Sequence, residues 1–393
     1  MSESLAITLL TPLDPFSSFT GGEINTRNLA QELVLRGHNV SLVHSYVSQR
    51  RESMWNGVRC YAVPSIGVPF VGNFQANLRV VDCLRNLARE HGHDILDSAG
   101  AGLGYAFTRA ASTWDRSVFH AVDLTLQELR SLPGLSAASV LPRYLALAYS
   151  ERKCVEVADW VIVDTAAVGS LYQSLYRGVN GKLSAIPPPI PRSWHPIDYG
   201  EHDPLHFLYI GAGPRRDTGL FLAAMNELKR RGFRVRGTII REPRKEYRRM
   251  SAALALDVEY LSGIPDSRLR EIFANACALV LPSHREAYCK STVEAGYHGT
   301  PTVTSNLEPV REYVSDGKTG IVVESWRPTD WADALSRLIV DSDLRQKLGS
   351  NAKSLAMNRY STQTIVDLIL DGYKDLLAGR RVGSLSSFAA TAQ

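Results

Sequence analysis

Two glutamates, Glu286 and Glu294, stand eight positions apart and are the residues of this sequence best placed to do chemistry. They lie between an apolar run that ends at Pro282 and a helix-like segment that starts near Ser291. A helix start attracts anionic ligand atoms, because its first backbone N–H groups have no intrahelical partner and the helix dipole adds partial positive charge. A diphosphate at that helix start, with a carboxylate on either side to accept hydrogen bonds from sugar hydroxyls, would suit the binding of a nucleotide sugar.

The flanking sequence decides whether this spacing means more than chance, since two glutamates eight apart also occur at random. Residues 279–283 are typical of the end of a buried strand. Residues 295–305 are typical of a helix, a glycine stop at Gly299 and a further strand. Together they predict a strand–loop–helix–strand unit of a parallel sheet.

This region resembles the retaining GT-B glycosyltransferases of family 4, whose donor site carries a Glu-x7-Glu signature. Upstream, residues 260–269 and 272–277 look like that family's loop and short helix before the signature. Downstream, residues 308–314 and 316–323 look like its next helix and strand. The match runs with few gaps over residues 207–360 and more loosely over the first half of the chain.

The resemblance implies an α/β protein of the GT-B fold, in which two Rossmann-like, doubly wound domains face each other across a cleft. It also implies a hexosyltransferase-type enzyme of class EC 2.4, which moves a sugar from a nucleoside diphosphate to an acceptor hydroxyl and keeps the anomeric configuration. The co-substrate would be of the UDP or GDP type, with no cofactor and no metal. The acceptor would be a glycan, a lipid-linked molecule or a small molecule.

The resemblance also assigns roles to the residues of the motif. Following the matching positions in the family, Glu286 would hold sugar hydroxyls beside the reacting carbon, and Glu294 would accept a hydrogen bond from the ribose. Charge on the leaving diphosphate would be stabilised by the helix start, which is electrostatic preorganisation rather than acid catalysis. The further donor-binding residues would be Lys290, Ser291 and Thr292 at the helix start, with Gly263 and Ile264 offering backbone groups to the base.

One loop departs from the family pattern, in which an Arg and a Lys after the first strand of the second domain grip the donor diphosphate. In this chain, Ala212 takes the place of the Arg and Thr218 that of the Lys. Arg215 or Arg216 would then supply the charge from a shifted loop, since a guanidinium can bind phosphate with two parallel hydrogen bonds. The alternative is that both arginines are solvated and that Lys290 only pairs with one of the two glutamates.

The first half of the chain also alternates between strands and helices, which is typical of a parallel sheet. Residues 5–10 predict a first buried strand, followed by Gly21 and Gly22, a helix, and a second strand at residues 40–43. The glycine pair is not a G-x-G-x-x-G fingerprint and no acidic residue ends the second strand, so a NAD site is not expected. In the resembling family this loop lies across the cleft from the donor phosphates; the alternative is a structural turn.

A candidate for the second catalytic side is His120, near the carboxyl end of the short apolar strand predicted at residues 117–123. Ligand sites of α/β sheets lie at that end of the strands. The residue coincides with a position where enzymes of the resembling family carry a His near the reacting sugar. In that family the site is complete only when the cleft closes. The alternatives are a structural core histidine and, for Asp123, a cap of the following helix.

A proline-rich segment, residues 187–191, cannot be regular helix or a central strand and marks the domain boundary. We predict an N-terminal acceptor domain of residues 1–188 and a C-terminal donor domain of residues 189–361. A last helix, residues 362–380, would pack back on the first domain as in the family. The Ser/Ala-rich end, residues 383–393, is predicted to be disordered.

The composition is that of a soluble globular protein of two or three domains, with 393 residues, 45% hydrophobic and 21% charged. A net charge of +4 does not call for a nucleic-acid partner. Five scattered cysteines without a Cys-x-x-Cys pair argue against a zinc site or a disulfide framework and favour the cytoplasm. No apolar run is long enough to span a bilayer, and no basic segment precedes the first apolar run as in a signal peptide.

Peripheral contact with the inner face of the membrane is an open alternative. The basic clusters at residues 229–231 and 241–249 would be solvated faces or would meet an anionic membrane surface. The stretch 65–74 is apolar for a connection and belongs to the first domain, where the family's acceptor pocket lies. It would line a site for an aglycone or lipid carrier, dip into a membrane surface, or pack in the core.

Two other functions stay open for the same fold. A nucleotide-sugar epimerase or a phosphorylase would use the same two-domain frame, although no residue specific to either stands out. A non-catalytic, donor-binding scaffold or partner subunit is suggested by the missing Arg and Lys.

Overall fold

The computed structural model describes residues 4–16, 21–65, 71–121, 125, 134–191, 194, 202–211, 215–241 and 245–383. The chain divides into two compact units, one of residues 1–192 with 362–393 and the other of residues 193–361. The first predicted boundary is slightly earlier, after residue 188, and the second predicted boundary lies after residue 361. Residues 384–393 lie outside the described part of the chain.

The strands of the first unit are β1 (Ala6–Thr11), β2 (Asn39–Val47), β3 (Arg51–Trp55), β4 (Val58–Pro64), β5 (Ile95–Ala99), β6 (Arg116–Ala121), β7 (Trp160–Val163) and β8 (Leu183–Ala185). They form one sheet in the order β3-β4-β2-β1-β5-β6-β7-β8. Every neighbouring pair is parallel except β3 with β4, which is antiparallel. β1 and β7 are almost continuously buried, as expected for parallel strands that are covered on both faces.

The helices of this unit are α1 (Gly21–Leu35), α2 (Val71–His91), α3 (Gly104–Ala110), α4 (Gly134–Val157), α5 (Ala166–Leu175) and, from the end of the chain, α13 (Thr362–Leu377). The last helix spans Thr362–Leu377, where residues 362–380 were predicted, and belongs to the first unit. It is held in the first unit by an ion pair between Arg36 and Asp367 and by a hydrogen bond from Arg116 Nε to the Leu376 carbonyl, at 2.8 Å.

The strands of the second unit are β9 (Asp203–Ile210), β10 (Arg236–Ile240), β11 (Asp257–Leu261), β12 (Ala276–Leu281), β13 (Thr302–Ser305) and β14 (Gly320–Val323). They form a wholly parallel sheet in the order β11-β10-β9-β12-β13-β14. The helices are α6 (Thr218–Arg230), α7 (Lys245–Ala253), α8 (Asp266–Asn275), α9 (Lys290–Tyr297), α10 (Glu308–Arg311), α11 (Pro328–Val340) and α12 (Ser342–Arg359). Aromatic and aliphatic side chains of α6 and α11 form a core with the sheet, among them Phe221, Met225, Trp331 and Leu335.

Strand order reverses at one point in each sheet, and the candidate site residues lie near these two points. In the first unit β1 lies between β2 and β5, and in the second unit β9 lies between β10 and β12. Connections leave such neighbouring strands in opposite directions, which opens a crevice at their carboxyl ends, and α/β proteins bind ligands there. Among the described helices, none is both long and apolar enough to cross a membrane.

Candidate active site

The two chain segments that follow β9 and β12 run side by side at the switch point of the second sheet. Arg216 and Ser283 form an isolated antiparallel bridge, and the His284 backbone N–H donates to the Arg215 carbonyl at 2.8 Å. This backbone pairing carries the Arg216 side chain to Glu286, the first glutamate of the motif. The structure therefore brings together the unusual loop and the motif that the sequence analysis treats separately.

Arg216 and Glu286 form a buried ion pair. Arg216 Nε donates to Glu286 Oε1 at 2.5 Å, and Ser283 Oγ donates to the same oxygen at 2.9 Å. The guanidinium also donates to the Ile210 carbonyl and contacts Cys289 Sγ at 3.6 Å. Only 15% of the Arg216 side chain and 3% of the Glu286 side chain are exposed. Burial opposes the charge of Arg216, but the charge and the hydrogen bond of Glu286 outweigh it and raise the pKa of the guanidinium, so Arg216 stays cationic.

The helix that carries the motif begins one residue before the predicted start, because the chain turns at Cys289. This residue has φ 58° and ψ 60°, a left-handed conformation that is uncommon for residues other than glycine. Its carbonyl accepts hydrogen bonds from the Thr292 backbone N–H at 3.0 Å and from Thr292 Oγ1 at 2.8 Å, and its sulfur lies 3.6 Å from Ser291 Oγ. Burial raises the pKa of the Cys289 thiol to about 12, so the thiol is neutral. Ser291 and Thr292 thus help to fix the first turn of α9.

Glu294, the second glutamate, lies one turn into α9 and pairs with Lys290. The Lys290 Nζ to Glu294 Oε1 distance is 3.6 Å, and both side chains are largely buried. Burial raises the pKa of Glu294, and the neighbouring Lys290 opposes that shift. The pairing of Lys290 with a glutamate, which the sequence leaves open, is made with Glu294.

Arg241 is a cation near the site that the sequence analysis does not single out. It directly follows β10, where its backbone N–H donates to the Leu261 carbonyl at 2.8 Å, and its φ is 86°. Partial desolvation and the charges of Arg216 and Arg215 lower the pKa of Arg241, and Glu294 opposes them. In the sequence, its position directly after an apolar strand could have indicated a residue of the site. We instead predicted it as the first residue of the basic cluster 241–249.

The remaining predicted donor-binding residues of this unit lie at the same edge of the sheet. Gly263 and Ile264 follow β11, and Gly263 has φ 64°, a left-handed conformation that suits a glycine. Arg215 is half-buried, with its carbonyl used in the bridge to His284. Ala212, in the middle of the unusual loop, lies outside the described residues.

The first unit has a small cavity at the switch point of its own sheet. Gly22 of α1, which begins at the predicted Gly21, lines this cavity together with Asp97 of β5 and His120 of β6. The remaining lining residues are Leu9, Asn25, Thr26, Leu29, Ala99, Asp164, Ile186, Pro187, Pro188, Pro189 and Ile369. Its volume is about 40 Å³, which is room for about three water molecules. The structure therefore brings the predicted glycine loop and His120 together.

Asp97 holds the imidazole of His120, and Tyr373 in turn holds Asp97; neither residue was predicted from the sequence. His120 Nε2 lies 2.9 Å from Asp97 Oδ2, and the Tyr373 hydroxyl of α13 donates to the same oxygen. Asp97 stands out in the sequence only as a single acidic residue inside an apolar strand. Tyr373 carries no sequence signal at all, because it comes from the far end of the chain.

Two predicted features lie wholly or partly outside the described residues. Asp123 is one of them. The other is the apolar stretch 65–74, of which residues 66–70 are not described. The acceptor pocket and membrane contact that this stretch suggests stay predictions.

Family models match most of the chain. A model described as Glycosyltransferase Family 4 matches residues 19–194, and one described as Glycosyl transferases group 1 matches residues 201–355. The first match falls almost entirely in the first unit and the second in the second unit.

Individual proteins agree with these matches. The D-inositol 3-phosphate glycosyltransferase of Actinosynnema mirum is 28% identical over 295 residues, which are 68% of this chain and 70% of that protein. Other enzymes of the same name match at 33% identity, but this chain spans only 28–31% of their length.

Solved structures share the fold. Sucrose-phosphate synthase from Thermosynechococcus elongatus has a TM-score of 0.80 at 18% identity, covering 95% of this chain and 99% of that one. Anabaena HepE, in complex with UDP and glucose, has a TM-score of 0.72 at 14% identity, covering 94% and 100%. Family models match both units of the chain, and its fold is shared with these solved structures. The chain therefore belongs to glycosyltransferase family 4, the glycosyl transferases group 1, and has the GT-B fold.

Proposed function

We propose that this protein transfers a hexose or a related sugar from a nucleoside diphosphate to an acceptor hydroxyl, with retention of anomeric configuration and without a metal ion. One observation carries the proposal: the Glu-x7-Glu segment folds at the switch point of the second sheet, against a loop that brings arginines to it. This crevice is where α/β sheets bind ligands, and its charges suit a diphosphate.

The diphosphate would be held by groups that surround the start of α9. The half-buried Arg215, Lys290 and the helix dipole supply positive charge there without a metal. Removing one such group from an active site typically costs roughly 3 to 4 kcal/mol in the barrier. Arg216 would act chiefly on Glu286, because its Nε and both terminal nitrogens already contact Glu286, Ile210 and Cys289.

The sugar and the nucleoside would meet the two glutamates. Glu286 Oε1 already accepts from Arg216 and Ser283, so we assign Oε2 to the sugar hydroxyls. Glu294 would accept from the ribose, and Gly263 and Ile264 would face the base. We assign His120 to the sugar and the Gly21–Gly22 start of α1 to the phosphates.

The donor and the acceptor are proposed from similar proteins. HepE is described in complex with UDP, which favours UDP over GDP as the first donor to test. The curated relatives are D-inositol 3-phosphate glycosyltransferases, which makes an inositol phosphate the first acceptor to test, beside glycans and lipid-linked acceptors.

A panel of UDP and GDP sugars, with and without these acceptors, tests the proposal. We expect slow donor hydrolysis without acceptor, faster transfer with one, an unchanged anomer by NMR, and no effect of EDTA. Glu286→Ala should abolish both reactions. Unchanged hydrolysis in that variant would remove Glu286 from the reaction, and an inverted anomer would refute retention.

A non-catalytic, donor-binding role is the second candidate. It is favoured by the Arg216–Glu286 ion pair, which occupies one oxygen of the carboxylate that the reaction needs. Binding of UDP without hydrolysis or transfer, with activity restored by a partner chain, would support this second role. Conversion of the donor sugar without any acceptor would instead indicate an epimerase.

A further inference from the structure

The Asp97 carboxylate joins three distant parts of the first unit. It lies on β5 and is 3% exposed, and its Oδ2 meets both His120 of β6 and Tyr373 of α13. In the parallel pairing of these strands Asp97 is opposite Val118, so His120, two residues further along, projects from the same face. The register of the sheet therefore fixes the contact between the carboxylate and the imidazole.

Tyr373 is held rigidly where it meets Asp97. Its side chain is fully buried, and its ring packs edge-on against Trp160 with centroids 6.3 Å apart. The neighbouring Gly372 permits this approach, because a Cβ there would lie 2.1 Å from a Trp160 ring carbon. Burial and the charge of Asp97 raise the pKa of Tyr373 well above its ordinary value, so the phenol keeps its proton and donates.

These contacts determine which nitrogen of His120 can meet a ligand. An ionised carboxylate only accepts hydrogen bonds, so Nε2 of the imidazole must carry a proton to bind Asp97. In the neutral ring Nδ1 is then an acceptor. His120 is 21% exposed and lines the cavity with Gly22, so Nδ1 is the ring nitrogen that remains for a ligand there.

We propose that Asp97 and Tyr373 are positioning residues for His120: they hold its imidazole protonated at Nε2, so that Nδ1 accepts a hydrogen bond from a sugar hydroxyl. The inference rests on the proposed function for the identity of the ligand. Its structural part, the tautomer and the roles of Asp97 and Tyr373, holds for the protein without any substrate.

The tautomer is measured directly by long-range ¹H–¹⁵N NMR of the full chain labelled at histidine, with His120→Ala to assign the signals. We expect neutral His120 to be protonated at Nε2 in the wild type. An Nδ1-protonated ring in the wild type would overturn the proposal, without the need for any other variant or for activity. In Asp97→Asn the loss of the charge should reduce the Nε2-protonated fraction.

Tyr373→Phe tests the second positioning residue, because it removes the hydroxyl and keeps the ring against Trp160. Tyr176→Phe is the matched control: Tyr176 is also buried in the first unit and donates to a buried carboxylate, Glu151 Oε1, at 2.7 Å. We expect the His120 signals to shift or broaden in Tyr373→Phe and to stay unchanged in Tyr176→Phe. Unchanged His120 signals in both variants would refute a role for Tyr373.

Kinetics give a separate measurement once a donor is known. Tyr373→Phe should lower kcat by about tenfold, the effect of one hydrogen bond to a charged group, and leave the donor KM unchanged. Equal kcat in Tyr373→Phe and Tyr176→Phe would contradict the proposal. If the wild type transfers no sugar at all, the proposed function fails, and the NMR result still decides whether His120 is positioned as described.

Discussion

The two units build their polar centres at equivalent places but in different ways. In the second unit, opposite charges are paired: Arg216 meets Glu286, and both side chains are largely buried. In the first unit, one buried carboxylate, Asp97, is satisfied by a histidine and a phenol. The first arrangement concentrates charge beside a helix start, which suits a diphosphate, and the second fixes the orientation of one imidazole.

One histidine of each unit shows the same difference in surroundings. His120 of the first unit contacts a carboxylate, whereas His298 of the second unit packs against the rings of Trp194 and Phe273, at centroid distances of 5.8 and 6.1 Å. Within the described part of the chain, neither nitrogen of His298 has a hydrogen-bond partner. One histidine is thus held by a carboxylate at the wall of a cavity, and the other packs as an aromatic core residue.

The largest effect is expected from breaking the ion pair of the second unit. Arg216→Met leaves Glu286 buried without its cationic partner, which should lower the free energy of unfolding by about 3 to 5 kcal/mol. Chemical denaturation measures this difference. The control, Arg215→Met, changes a half-buried neighbour and should cost less than about 1 kcal/mol. Equal losses in the two variants would show that the pair does not organise the site.

His298 should make the protein sensitive to acid. Burial lowers the pKa of His298 from 6.5 to about 4. Below pH 6.5 the unfolded chain binds a proton that the folded chain does not, so stability is complete above pH 6.5 and falls as the pH drops towards 4.

Replacing His298 by Phe should therefore reduce the loss of unfolding free energy between pH 7 and pH 4 by roughly 3 kcal/mol. Denaturant titrations at several pH values measure this. His284→Phe, which replaces a histidine that is about half exposed, is the reference variant for the size of this difference. The same acid loss in His298→Phe as in the wild type would contradict the burial of a neutral His298.

A smaller effect is expected where the last helix packs on the first sheet. Gly372→Ala would place a methyl group against the Trp160 ring, and overpacking of this kind costs about 1 to 3 kcal/mol. Thermal unfolding should show a lower Tm than in Asp371→Ala, a change of the exposed neighbour on the same helix. A Gly372→Ala protein as stable as that control would show that the helix is not closely packed at Trp160.

Local patterns predict much of the architecture. The last helix was predicted over residues 362–380 and is observed at Thr362–Leu377, because a regular apolar spacing is contained in the sequence itself. The motif helix was predicted to within one residue. Family resemblance supplied the roles of the glutamates, which spacing alone does not give.

Contacts between distant residues could not be predicted in this way. Tyr373 and Asp97 are 276 positions apart, and Arg216 and Glu286 are 70 apart. No periodicity records such pairs, since they depend on strand order and on how a loop pairs with its neighbour. The left-handed turn at Cys289 was also missed, because residues other than glycine rarely adopt that conformation.

The most direct test of the central claim is a calorimetric titration of UDP and GDP against the wild type, Arg215→Gln and Lys229→Gln. Lys229 is the control, because it lies in the last turn of α6, far along the helix from the site. We expect one nucleotide to bind the wild type, binding to Arg215→Gln to be at least about tenfold weaker, and Lys229→Gln to bind like the wild type. No binding of either nucleotide, or equal binding by Arg215→Gln, would contradict a diphosphate site beside the glutamate motif.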